Sequence, residues 1–121
     1  MEKMIMNITK INENNTLLIL LEGKLDTTSA PNLQEKLSAI FNAEPTDIQS
    51  GTIKEVHLDC SKLSYISSAG LRVLLIVEKL SKTAGISFIL KGVSEDIMEV
   101  FSMTGFDKLL KIFGINETPH R

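Results

Sequence analysis

An apolar strand that runs straight into an apolar helix constrains this chain more than any other feature. Val56-His57-Leu58-Asp59-Cys60 and a short loop to Ile66 lead into Ser67-Ser68-Ala69-Gly70-Leu71. The helix predicted over Ala69 to Lys82 then carries Leu71, Val73, Leu74, Leu75, Ile76 and Val77 almost all round its first turns. Such a helix has to be covered on more than one side. The strand before it reads as buried, so the two belong to a layered α/β core. The corner between them has a second property. A serine hydroxyl at a helix start lies beside unpaired backbone N–H groups and the positive end of the helix dipole, where a phosphate is tolerated at little cost. Ser68 is therefore a candidate switch.

The flanking segments supply the rest of the layers. Met4, Met6 and Ile8 alternate with Asn7 and Thr9, as in a strand with one wet face. Glu13-Asn14-Asn15 turns the chain into Thr16 to Leu21, a run too apolar to alternate and so predicted to be covered on both faces. A β-hairpin opens the domain. After Gly23-Lys24-Leu25-Asp26, Thr28 and Ser29 are N-cap candidates, and Leu33, Leu37, Ile40 and Phe41 recur at helical spacing. Residues 43–54 lack periodicity and read as a long exposed loop. Ile86 to Leu90 is another strand, and Ser94-Glu95-Asp96 opens a helix that Gly105 ends. A last apolar segment, Phe106 to Phe113, holds a short strand before a polar tail at about 115–121. Strands alternating with helices imply parallel pairing through right-handed crossovers. The expected architecture is a single α/β domain over residues 1–121, a mixed sheet opened by a hairpin with helices packed on it.

Composition narrows the function classes. At 121 residues, with 43% hydrophobic and 23% charged residues, the chain is sized for one globular core. Net charge is −2, Trp is absent and Tyr65 is the single tyrosine, which disfavours nucleic acid as a partner. No stretch has the length and apolarity of a bilayer span or signal peptide, so a cytoplasmic protein is expected. Cys60 is alone, which excludes an internal disulfide and a cysteine metal cage.

Catalytic chemistry finds little support. His57, Asp59 and Cys60 sit close in sequence, but on a strand His57 and Asp59 share one face while Cys60 points to the other. The seven glycines are scattered singly, so no phosphate-cradling loop is present, and no cofactor or metal is expected. Glu95 and Asp96 complement a helix dipole.

Three stretches in order along the chain resemble the STAS-domain family, and within it the bacterial anti-sigma factor antagonists. They are Leu21-Glu22-Gly23-Lys24-Leu25-Asp26, Leu58-Asp59 with Leu63 and Ile66 leading into Ser67-Ser68-Ala69-Gly70-Leu71, and Val100-Phe101-Ser102-Met103-Thr104-Gly105-Phe106. In that family the corner reads acid, serine, serine or threonine, glycine, leucine, and a partner kinase phosphorylates the serine two places before the glycine. The resemblance puts that site at Ser68. This chain has Ser67 at the acidic position, itself an alternative acceptor, and Ala69 in place of the second hydroxyl.

By the same resemblance Asp26 is a partner contact or orients the phosphoacceptor; as a loop aspartate it would instead bond nearby amides. Arg72, one turn beyond Ser68, would touch a phosphate or a partner's acid, or would cover apolar surface with its stem. Gly70 in the first helical turn implies a close approach, by a docking partner or by packing within the domain. The resemblance implies a non-enzymatic function. By that resemblance the unphosphorylated protein would bind an anti-sigma factor serine kinase through Asp26, Ser67, Ala69, Gly70, Leu71 and Arg72, release a sigma factor, and be reset by a PP2C-like phosphatase. It would be a monomer or weak dimer. The alternative is a phosphorylation-independent STAS scaffold of a transporter or another signalling complex.

Overall fold

The structure, a computed structural model, describes residues 5–11, 15–42 and 53–117. The chain order is β1 (Ile5–Ile11), β2 (Thr16–Leu25), α1 (Ala30–Asn42), β3 (Glu55–Ile66), α2 (Ser68–Ala84), β4 (Ser87–Val93), α3 (Glu95–Thr104) and β5 (Lys111–Gly114), with one 3-10 turn at Phe106–Lys108. The expected hairpin is present: β1 pairs antiparallel with β2, from Ile5 opposite Glu22 to Ile11 opposite Thr16. Asn15 enters β2 at φ 54°, a left-handed conformation that asparagine tolerates; Glu13 and Asn14 lie outside the described residues. The remaining neighbours, β2–β3, β3–β4 and β4–β5, are parallel, so the sheet runs β1-β2-β3-β4-β5 in chain order.

Every parallel crossover steps one strand in the same direction, and right-handed crossovers of that kind stack their helices on one face. The burial pattern agrees. Leu17, Ile19 and Leu21 of β2, Val56, Leu58 and Cys60 of β3, and Phe88 and Leu90 of β4 form one core with Leu33 and Leu37 of α1, Leu74 and Val77 of α2, and Ile97 and Phe101 of α3. The opposite face holds Leu18 and Leu20, half-buried, with His57, Asp59 and Lys91 beside them in register. The expectation that β2 is covered on both faces is thus corrected: among the described residues no helix packs on its outer side chains, and Leu18 and Leu20 stay half-buried.

Two other expectations change. The segment after Cys60, read as a loop, is a continuation of β3, whose pairing with β2 slips by one residue after Leu20 and again after Gly23. Each slip is a bulge, and bulges break strict alternation, so the buried residues there, Leu63 and Ile66, stand three apart. The loop expected to be exposed over 43–54 reaches β3 at Glu55 as its bounds predict, but its end is not exposed. Ile53 is buried and the Lys54 N–H donates to the Asn15 carbonyl at 2.7 Å; residues 43–52 lie outside the described set. In the expected polar tail, Glu117 folds back so that its Oε1 accepts from the Gly114 N–H at 2.6 Å, and 118–121 are outside the described residues.

Candidate functional site

The corner forms because β3 ends beside the end of β2. The Ser67 N–H donates to the Leu25 carbonyl at 2.9 Å, which ties the two strand ends together one residue before Asp26. Ser67 is extended (φ −101°, ψ 175°) and caps α2: its Oγ accepts from the Gly70 N–H at 3.4 Å, and its carbonyl accepts from the Leu71 N–H at 3.0 Å. The helix accordingly starts at Ser68, one residue earlier than the apolar pattern predicts. Ser68 is exposed, and its hydroxyl makes no hydrogen bond among the described residues. The two serines are thus distinguished: one is occupied as a cap and half-buried, the other is free.

Beneath them the corner is packed without slack. Gly70 is buried, and a methyl group built on it would lie 2.7 Å from Leu25 Cγ and 3.0 Å from Ile66 Cγ1. The close approach that its glycine implies comes from the domain's own core. Leu71 is buried as well, 3% exposed. Neither residue offers a surface, whereas Ala69 is half-buried and Arg72 exposed.

Asp26 is placed beside the corner through the Leu25–Ser67 hydrogen bond. Its Oδ1 accepts from the Thr28 and Ser29 N–H groups, both at 3.0 Å, while its own N–H donates to Ser29 Oγ at 3.0 Å. Ser29 Oγ in turn donates to the Lys24 carbonyl at 2.8 Å. This reciprocal turn leads into α1 at Ala30, and the side-chain capping expected of Thr28 and Ser29 is corrected: among the described residues neither side chain accepts from an N–H of α1, because Ser29 Oγ turns back to Asp26 and Lys24. The Ser29 amide, aided by Thr28, holds the Asp26 carboxyl below its ordinary 3.8, against a smaller opposing effect of desolvation.

Sequence reasoning left one neighbour out. Tyr65, in register with Lys24, is 48% exposed two residues before the cap. Strand periodicity points it nowhere in particular, because the second bulge falls beside it. The residues set aside as non-catalytic stay apart: His57 bonds Glu55 Oε1 at 2.7 Å on the outer face, and Cys60 points into the core. Burial, with a smaller push from Asp59, raises the Cys60 thiol to about 12, which leaves it inert as a nucleophile.

A sheet of parallel crossovers opened by a hairpin, with a serine-capped helix corner at the carboxyl ends of its strands, is the architecture of a small α/β domain of the STAS class. The chain belongs to the STAS domain family, whose profile matches residues 7–117. It is 32% identical over 110 residues to BtrV of Bordetella bronchiseptica, described as a candidate anti-sigma factor antagonist, covering 91% of this chain and 85% of that one. It is 30% identical over 108 residues to the anti-sigma-B factor antagonist of Bacillus subtilis, covering 89% and 90%. Among solved structures, a candidate anti-sigma factor antagonist from Thermotoga maritima superposes with TM-score 0.73 at 19% identity, covering 89% of this chain and 85% of that chain.

Proposed function

We propose that this chain is a phosphorylation-controlled anti-sigma factor antagonist. In its unphosphorylated form it docks on an anti-sigma factor that is also a serine kinase, and so releases a sigma factor. Phosphorylation of Ser68 ends the docking and a PP2C-like phosphatase restores it. The observation that carries this reading is the free, exposed Ser68 hydroxyl on the first residue of α2, beside a Ser67 already committed as the cap. The contact surface is formed by Asp26, Ser67, Ser68, Ala69 and Arg72, with Gly70 and Leu71 shaping it from below. Nothing in this role requires catalysis by the domain itself.

Incubation with the cognate kinase and ATP, followed by peptide mapping, is the test. The phosphate is expected on Ser68 and should be lost in Ser68→Ala. Label confined to Ser67 would overturn the assignment. Equal partner binding by wild type, Ser68→Ala and Ser68→Asp would replace it with the phosphorylation-independent scaffold.

A further inference from the structure

We propose that Arg72 is captured by the phosphate on Ser68, so that phosphorylation withdraws a cation from the docking surface as well as adding an anion to it. This rests on the reading of Ser68 as the phosphoacceptor. At 3.6 residues per turn, Ser68, Arg72 and Lys79 fall within about 40° of one another around α2. All three are exposed. Helical side chains lean toward the N-terminus, so the Arg72 side chain, one turn on, reaches back over Ser68. An acid four residues before a base is the more favourable order for such a pair, and guanidinium meets phosphate through two parallel hydrogen bonds.

Nothing else claims the arginine. Among the described residues Arg72 has no ion pair or hydrogen bond, and the first turn of α2 contains no acid. The acid neighbouring the corner, Asp26, has its Oδ1 committed to the Thr28 and Ser29 amides. Of the other cations near the corner, Lys24 lies at the end of β2, and Lys79 is about two turns further along the helix than Arg72. In the unphosphorylated state Arg72 is therefore available to an acidic group on the partner; in the phosphorylated state it has a closer one on its own helix.

The experiment uses protein with phosphoserine installed at position 68 by genetic code expansion, so that no kinase is involved, and follows the phosphate by 31P NMR from pH 4.5 to 8. Its second ionisation, at about 6 when unperturbed, should lie about 0.2 to 0.4 units lower in wild type than in Arg72→Gln, the size expected of an exposed i, i+4 ion pair. Lys79→Gln should titrate like wild type. Coincident titrations of wild type and Arg72→Gln would overturn the capture, as would an equal shift in Lys79→Gln, which would mark a general field. Either result leaves the assignment of Ser68 standing. Kinase labelling elsewhere would remove that assignment without touching the titration.

Discussion

The corner separates residues that hold the fold from the one that is free to change. Gly70→Ala gains up to about 1 kcal/mol of helix propensity but forces a methyl group into buried Leu25, and overpacking of this kind typically costs about 1 to 3 kcal/mol. The clash should win, so urea unfolding is expected to show Gly70→Ala less stable than wild type; equal or higher stability would mean the corner has room. Ser67→Ala removes a long cap bond and should cost about 0.5 to 1 kcal/mol, while Ser68→Ala should stay within about 0.5 kcal/mol of wild type. Asp26 adds a pH signature. Because its folded-state ionisation is depressed, its contribution is present above the ordinary 3.8 and is lost as the pH falls through the lower folded value. Asp26→Asn should therefore lose less stability than wild type between pH 7 and pH 3, measured by urea midpoints. The place of the corner was legible in the sequence, since the apolar pattern marks where β3 gives way to α2. The roles of Gly70 and Leu71 were not, because inward and outward first-turn residues look alike until Leu25 and Ile66 are placed beneath them.

At the scale of elements, the hairpin, α1, α2, α3 and the Gly105 terminus follow from alternation, helical spacing and caps that act locally, and all are read correctly to within a few residues. Two features are set by long-range pairing instead. The bulges in β3 exist because its partner β2 has fewer residues to offer, which no window confined to residues 55–66 contains. The half-buried outer face of Leu18 and Leu20 depends on which way each crossover steps across the sheet. Helix α2 carries one element-level anomaly. Glu78 is 6% exposed and its buried Oε1 has no hydrogen-bond partner among the described residues. Leaving a buried polar atom unpaired typically costs about 1 to 3 kcal/mol, so Glu78→Met should raise stability by an amount of that order in a denaturation curve. A decrease would show that the carboxylate is satisfied in solution.

For the whole molecule, two magnitudes decide how the proposed switch works. An anion near the first turn of a helix changes domain stability by about 0.3 to 1 kcal/mol, in the favourable direction. An unpaired charge buried in a docked interface typically costs several kcal/mol. Phosphorylated protein should therefore keep a native circular dichroism spectrum and a near-wild-type Tm while its affinity for the kinase partner, read by calorimetry, falls at least about tenfold, or 1.4 kcal/mol. A Tm drop that accounts for the lost binding would instead make the switch one of unfolding.

The order of the sheet bears on how the molecule comes into being. Each strand after β1 pairs with the strand made immediately before it, and none is inserted between two earlier ones. As the chain leaves the ribosome, the sheet can grow outward one crossover at a time, with every new helix closing over the strands already in place. The corner that bears Ser68 is complete once β3 and α2 have emerged, before β4 and β5 do.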